Sequence, residues 1–167
     1  LHRLRGAIYF GYGLLQIAFS FIPPQLKVIN FLGYQGDRET GLNCLRDAKN
    51  SQDLRGLMSI IALLYYYLII VPFFSLENSN LNKELAIATE ILNENERFDS
   101  SALFLFFSGR RQRLKKKMKF AIMHYDAALR VANLPRELKM MVMHELGLCL
   151  LIELNFHDAM HYFNELK

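Results

Sequence analysis

The chain has 167 residues, of which 52% are hydrophobic and 22% are charged. This composition excludes general disorder, and the length suits one domain with a sizeable core. The net charge of +4 has one source, because residues 110–119 hold seven Arg and Lys residues and no acid. The basic character therefore belongs to one patch and does not describe the whole surface.

The two cysteines, Cys44 and Cys149, lie far apart in apolar helical patterns. This placement predicts buried, reduced thiols in a cytosolic protein. The chain begins at Leu1 and ends at Lys167 within a predicted helix. We therefore expect it to be a piece of a longer protein.

Nearly the whole chain follows helical periodicity, and no segment alternates polar and apolar residues as a strand does. In the N-terminal half, Pro23 and Pro24 end the first helix, and Asp37 and Asp53 are good N-caps. Pro72 predicts a kink or stop in the helix that follows Asp53. The predicted helices of this half are residues 3–21, 25–34, 37–50 and 53–74, and a further helix that starts at Asn80 or Asn82 and runs to about Asn95.

The C-terminal half predicts two helical hairpins separated by Pro135. Ser100 or Ser101 is expected to cap the first of these helices. Asn155 is the expected left-handed residue in the turn of the second hairpin. The predicted helices are residues 101–114, 118–133, 136–154 and 157–167.

Two uncharged segments, 6–25 and 57–76, are long enough to cross a bilayer. The first contains three glycines, which suit close helix–helix contact. The second has three consecutive tyrosines in its middle, and the tyrosine hydroxyl favours the membrane interface over the hydrocarbon centre. Inner helices of a solenoid are the alternative for both segments, because such helices are apolar on all sides.

Five positions of the first C-terminal hairpin recur 38 residues later with their character kept. The pattern is a large residue and a glycine in the first helix, then Ala, an aromatic and an apolar residue in the second. The glycine lets the second helix cross closely, and the Ala and aromatic fill the gap between hairpins. This spacing is the tetratricopeptide pattern. The positions are Leu105, Gly109, Ala121, Tyr125 and Ala128 in the first copy and Met143, Gly147, Ala159, Phe163 and Leu166 in the second.

Motifs of the N-terminal half carry a family resemblance. They are Phe10-Gly11-Tyr12-Gly13-Leu14, Pro23-Pro24, Phe31-Leu32-Gly33-Tyr34 and Gly36-Asp37-Arg38, with the run 102–110 later in the chain. At these spacings they resemble the tetratricopeptide repeat protein 39 family, which includes the fungal inclusion-body clearance proteins. The resemblance covers most of residues 6–128.

The resemblance implies an all-α fold, a tetratricopeptide-like helical-hairpin solenoid wound as a right-handed superhelix of antiparallel helix pairs. Family-specific hairpins would occupy residues 1–98, and repeats would occupy 99–135 and 136–167. A non-enzymatic, protein-binding role is also implied, with links to the cytosol, lipid droplets or the mitochondrial outer surface in some members. Either uncharged segment is then less expected to span a membrane.

One departure from the family pattern lies in the turn between the paired helices, where Gly and a small polar residue are usual. This chain has Lys115, Lys116 and Lys117 there. Lysine tolerates a left-handed backbone less well than glycine, which leaves the geometry of this turn open.

In tetratricopeptide repeats the inner face of each first helix lines a concave groove. The residues at these positions of the chain suit an apolar or amphipathic partner helix. Such a helix could carry acids where it contacts Arg110 and Arg113. A capping helix within a longer protein is the alternative occupant. The groove positions are Leu103, Phe106, Arg110, Arg113 and Leu114 in the first repeat and Met141, His144, Leu148, Leu151 and Ile152 in the second.

The basic patch has three candidate ligand classes: acidic proteins, anionic lipid head groups and nucleic acid. A solvated charge cluster with no ligand is the plain alternative. Aromatic residues are not interleaved among the charges, so a nucleic-acid partner is not expected. The patch consists of Arg110, Arg111, Arg113, Lys115, Lys116, Lys117 and Lys119.

Other candidate chemistry is weak. His157 and His161 share a helix face, yet no third metal ligand is placed nearby. Cys149 and His144 lack the orienting group that a nucleophile and its base require. No catalytic residue, cofactor or metal is therefore predicted.

The sequence thus predicts a cytoplasmic, non-enzymatic scaffold that binds proteins, with peripheral attachment to the mitochondrial outer membrane or lipid droplets implied by the resemblance. The alternative is a membrane-associated protein, held by the apolar helix 57–74 or by the basic patch 110–119.

Overall fold

The structure is a computed structural model that describes residues 2–22, 36–74 and 81–166. Over these ranges the chain forms helices and no strand, and successive helices pack in neighbouring pairs. The prediction of an all-α fold of tetratricopeptide-like hairpins is confirmed. The predicted helix 25–34 lies outside the described residues, and so does the predicted helix start at Asn80.

Two compact units divide the chain, Leu1–Leu64 and Tyr65–Lys167. In the first unit, Asp37 caps a helix by accepting hydrogen bonds from the amides of Glu39 and Thr40, as predicted. Asp53 accepts from the amide of Arg55 at the start of the next helix. The helices of this unit are α1 (His2–Ser20), α2 (Arg38–Ala48) and most of α3 (Leu54–Tyr65).

Helices α1 and α2 cross closely because two glycines meet at the crossing. A Cβ atom on Gly13 would lie 2.9 Å from the carbonyl oxygen of Gly41, and a Cβ atom on Gly41 would lie 2.8 Å from that of Gly13. Neither position has room for a side chain without a backbone shift. The close helix contact expected from the glycines of segment 6–25 is therefore found at Gly13.

Helix α3 continues without a break through a π-helical turn, Tyr66–Ile70, into α4 (Val71–Phe74). Pro72 does not end the helix. A wide turn precedes it instead, in which the Val71 amide bonds to the Tyr66 carbonyl, and such turns accommodate the proline ring. Within the described ranges, Leu54–Phe74 is the one helix long and apolar enough to cross a bilayer, and part of it is buried in the protein.

The second unit continues with five further α-helices. Ser101 caps the first C-terminal hairpin by accepting from the Phe104 amide. Several helices end a few residues before the sequence predicts. The helices are α5 (Leu81–Asn93), α6 (Ala102–Leu114), α7 (Met118–Leu129), α8 (Arg136–Ile152) and α9 (Phe156–Asn164).

Both C-terminal hairpins, α6–α7 and α8–α9, pack an aromatic ring against a glycine. The Tyr125 ring fills the space where a Cβ atom on Gly109 would lie, and a Cβ atom on Gly147 would be 2.8 Å from Phe163. Small residues complete the contact, and Ala121, Tyr125, Ala128 and Ala159 are all buried. The two glycine–aromatic pairs are 38 residues apart, so the residues that recur in the sequence also make equivalent contacts in the structure.

The turns of the two hairpins have the same backbone geometry. Lys116 has φ 59° and Leu154, 38 residues later, has φ 61°. The amide of the following residue closes each turn: Lys117 donates to the Gln112 carbonyl, and Asn155 donates to the Leu150 carbonyl, both at 2.9 Å. This is the Schellman arrangement, here with non-glycine residues in the left-handed position.

The expectation that Asn155 is the left-handed turn residue is wrong. Leu154 has that conformation, and Asn155 is the N-cap of α9, with φ −87° and a side chain that accepts from the Asp158 amide. The turn of the first hairpin, left open by its lysines, adopts the left-handed conformation at Lys116. In both turns the packing of the hairpin overrides the preference of the residue.

Replacement of the packed glycines tests this helix crossing. Gly109→Ala is expected to lower the free energy of unfolding by roughly 1–2 kcal/mol, because overpacking against Tyr125 outweighs the gain in helix propensity. Gly147→Ala should cost less, since Phe163 is only partly buried. Thermal unfolding followed by circular dichroism gives the comparison.

Gly11→Ala is the matched control, because among the described residues nothing lies within 4 Å of the added Cβ atom. It should be neutral or slightly stabilising. Equal unfolding midpoints for Gly109→Ala and Gly11→Ala would contradict the close crossing.

Candidate partner-binding site

Two of the five predicted groove residues of the first repeat are buried in the second unit, and the other three are partly buried. Phe106 is 2% exposed and Arg110 is 7% exposed. The Phe106 ring packs 5.7 Å from Phe107 and 6.1 Å from Tyr125, centroid to centroid. Leu103, Arg113 and Leu114 are partly buried. The expectation that Phe106 and Arg110 line an open groove is corrected: neighbouring helices already cover them.

Arg110 is buried because it is paired with a carboxylate. Its Nη1 donates to Glu145 Oε1 of α8 at 2.8 Å. Arg113 Nε lies 2.9 Å from Glu145 Oε2 as an ion pair, without the alignment of a hydrogen bond. One acid thus serves two guanidinium groups, and its loss would leave two positive charges with no counter-charge in a largely dry site.

Arg110 also completes the hydrogen bonding of the π-helical turn before Pro72. Its Nη2 donates to the Leu68 carbonyl at 3.0 Å. In an α-helix that carbonyl would accept from the amide of residue 72, but Pro72 has no amide hydrogen. The guanidinium therefore supplies a donor that the proline withholds, and it links the π-helical turn to α6.

Tyr125 joins the same group of residues from α7. Its hydroxyl donates to Glu145 Oε2 over a long 3.4 Å. Burial raises the pKa of Tyr125, and the charge of Glu145 raises it further, so the phenol stays protonated and acts as a donor. The Glu145 cluster (the Leu68 carbonyl, Arg110, Arg113, Tyr125 and Glu145) therefore joins the π-helical turn to α6, α7 and α8.

The groove positions of the second repeat are exposed, except for Leu148. Along α8 they lie at intervals of three, four and one residues, which places them on one helix face. Met141, His144, Leu151 and Ile152 are exposed and Leu148 is partly buried. The His144 ring contacts Phe163 at 6.2 Å between centroids. We call this face the α8 stripe: Met141, His144, Leu148, Leu151 and Ile152.

The residues of the basic patch differ in burial and in their partners. Arg110 and Arg113 face Glu145, and Arg111 is partly buried, with a pKa lowered by burial against the opposing effect of Asp99. The Lys115 ammonium donates to Thr89 of α5 at 3.3 Å. Lys116, Lys117 and Lys119 are exposed. The seven residues therefore do not form one surface patch.

The remaining candidates have structural neighbours that explain them. Cys149 is fully buried, and burial raises its pKa to about 11, which disfavours the thiolate. His157 lies 3.2 Å from Asp158, and His161 lies 3.2 Å from Glu165. Over the described part of the chain, no three His, Cys, Asp or Glu residues group as a metal site.

Comparison with known proteins gives the family. The family model described as Iml2/Tetratricopeptide repeat protein 39 matches residues 1–167. This chain belongs to that family. No solved structure matches it.

Two relatives of this Iml2/Tetratricopeptide repeat protein 39 member are fungal proteins named inclusion body clearance protein IML2. The protein of Debaryomyces hansenii is 43% identical over 58 residues, which are 34% of this chain and 6% of the relative. The protein of Yarrowia lipolytica is 37% identical over 57 residues, which are 34% of this chain and 8% of the relative. The matched segments are thus small parts of these relatives.

Sequence reasoning missed Glu145. One signal was present: a single acid within the apolar run 138–152 of a predicted inner helix needs a counter-charge when buried. The candidate cations, Arg110 and Arg113, lie 35 and 32 residues earlier. Their pairing follows only once α6 and α8 are placed side by side.

Removal of the carboxylate tests the Glu145 cluster. Glu145→Gln keeps the shape of the side chain but leaves Arg110 and Arg113 without a negative charge. It is expected to lower the free energy of unfolding by roughly 3 kcal/mol. Chemical unfolding in urea measures the change.

Glu137→Gln is the control, because Glu137 is exposed near the start of the same helix. Its effect should stay within about 0.5 kcal/mol. Similar midpoints for the two variants would show that the ion pair adds no stability.

Proposed function

We propose that this protein is a non-enzymatic scaffold that binds another protein through the α8 stripe. The observation that carries the proposal is a contrast between two equivalent faces. On α6, the positions of Phe106 and Arg110 are buried against helices. On α8, the equivalent His144 is exposed and Leu148 is only partly buried. A helix is the element that covers this face in the first repeat, and we infer the same shape of ligand for the second.

The chemistry of the stripe defines the expected partner. The helix that covers α6 brings Glu145 to Arg110 and Arg113. At the equivalent positions α8 has Leu148 and Leu151, so an acid on the incoming helix would meet no cation there. The partner is therefore an amphipathic helix that places apolar residues against this part of the stripe. The sequence led us to expect acids on the partner opposite Arg110 and Arg113. Because Glu145 of the same chain already pairs with both arginines, we no longer expect such acids.

The family supports a protein-binding role. Tetratricopeptide-type folds generally mediate protein–protein interaction through stacked hairpins. The relatives' name, inclusion body clearance protein, supports a role within the cell. The cytoplasm is the proposed location, with peripheral attachment to the mitochondrial outer membrane or lipid droplets as the finer proposal.

Charge placed in the stripe tests the scaffold proposal. Leu148→Glu/Leu151→Glu should reduce partner recovery at least about tenfold, because a buried, unpaired acid costs several kcal/mol in an apolar interface. Quantitative affinity capture with mass spectrometry identifies the partner that is lost. A labelled peptide with the sequence of that partner's helix is then titrated with the purified protein. Fluorescence anisotropy measures the dissociation constant.

Lys139→Glu is the control, since Lys139 is exposed, lies on the side of α8 away from the stripe, and gives the same change in net charge as the double variant. Unchanged recovery of every partner by Leu148→Glu/Leu151→Glu would contradict the proposal. A fall in thermal stability of the intact protein, as large as that of a core substitution, would instead indicate that another hairpin of the same protein covers the stripe.

Membrane insertion is the second candidate, favoured by the length and composition of Leu54–Phe74. If this helix spans a bilayer, the protein remains in the membrane pellet after alkaline carbonate extraction. Release of the protein into the supernatant would rule out insertion, because carbonate removes proteins held only at the surface. A known integral membrane protein in the same pellet is the control.

A further inference from the structure

Three lysines of the basic patch, Lys116, Lys117 and Lys119, have no acidic partner among the described residues. Lys116 and Lys117 lie in the turn before α7, and Lys119 lies in its first turn. All three are exposed, and none makes an ion pair within the described ranges of the chain. The arginines of the basic patch are at least partly buried, and Lys115, although exposed, donates to Thr89 of α5. Within the basic patch, the other three lysines are therefore the exposed residues for which the described part of the chain shows no partner.

Two large apolar side chains lie beside these lysines. Phe120 is 54% exposed and Met123 is 55% exposed. Lys119 and Met123 are four residues apart, and Phe120 and Met123 three apart, so the three share one face of α7. The opposite side of α7 is buried through Ala121, Tyr125 and Ala128. The outward face therefore combines cations with protruding apolar groups.

Two acids near α7 interact with other groups. Asp126 lies three residues after Met123, on the same side of α7, but it is partly buried, and its charge adds to burial in raising the pKa of Tyr162 of α9. Asp99 interacts with Arg111 and His124: burial lowers the pKa of each, and the charge of Asp99 raises it. Neither carboxylate is paired with the exposed lysines.

We propose that this face of α7, consisting of Lys116, Lys117, Lys119, Phe120 and Met123, binds the surface of an anionic phospholipid membrane. Lysine ammonium groups pair with phosphate and carboxylate groups of the head groups. Phe120 and Met123 enter the boundary between head groups and acyl chains. This surface is separate from the α8 stripe and would position the scaffold at a membrane.

The shape of the surface favours a membrane over an acidic peptide. A peptide helix gains its affinity in a groove, where walls on both sides bury its apolar residues. Phe120 and Met123 each project from a single helix, with more than half of their surface exposed. A bilayer needs no walls, because the projecting side chains themselves become buried in it.

Vesicle sedimentation tests the proposal. The protein should bind phosphatidylcholine vesicles that contain about 30% phosphatidylserine and should not bind pure phosphatidylcholine. Lys116→Gln/Lys119→Gln should weaken binding about 30-fold, from the loss of two surface cations. Raised salt should weaken wild-type binding as well.

Arg136→Gln/Lys139→Gln is the matched control, because both residues are exposed and the change in net charge is the same. Its effect should stay below about threefold. Equal losses for the two double variants would overturn the proposal, since net charge alone would then explain binding. Equally strong binding to soluble polyglutamate would also overturn it, in favour of an acidic protein ligand.

A fluorescent reporter tests insertion directly, because this chain contains no tryptophan. Phe120→Trp should show a blue-shifted emission with the anionic vesicles, as its ring leaves water. Met140→Trp, at an exposed position of α8, should show no shift. Emission from Phe120→Trp that stays unchanged while the protein sediments with vesicles would overturn the insertion of this face.

Discussion

The pairing of Glu145 with two arginines is the interaction on which the second unit depends. Burying an arginine is unfavourable unless its charge and its hydrogen-bond donors are satisfied. Glu145 supplies the charge to Arg110, and the Leu68 carbonyl accepts a further hydrogen bond from it. The carbonyl is available because Pro72 removes its helical donor. Glu145 thus balances the charge of Arg110, and Arg110 gives the Leu68 carbonyl the hydrogen bond that Pro72 cannot.

This pairing also decides which surfaces remain for function. It draws Arg110 and Arg113 inward and closes the inner face of α6. The face of α8 has no equivalent cations and stays open, while the lysines that follow α6 remain at the surface. The two proposed surfaces, the α8 stripe and the outward face of α7, are therefore what the buried charges leave exposed.

The features that could be predicted from the sequence depend on local geometry. Gly109 and Ala121 are recognisable because a close helix crossing needs small residues at fixed spacing, and helix caps such as Asp37 and Ser101 satisfy amides two or three residues away. The errors concern distant neighbours. The repeat position of Phe106 predicts a place in the groove, and nothing in the sequence indicates which helix covers it. Local propensity favours Asn155 for the left-handed turn, but the hairpin places Leu154 in that conformation instead.

The two three-residue turns have a consequence for how this protein can vary. Lys116 and Leu154 are unlike side chains in the same left-handed conformation, so the turn does not require one particular side chain, although glycine would adopt it at lower cost. The length of the turn is more constrained than its sequence. One inserted residue would disrupt the hydrogen bond from the Lys117 amide to the Gln112 carbonyl, which closes the turn and sets α7 so that Tyr125 packs on Gly109. Variation in this family should therefore appear as exchanges within the turn, and insertions should collect between hairpins.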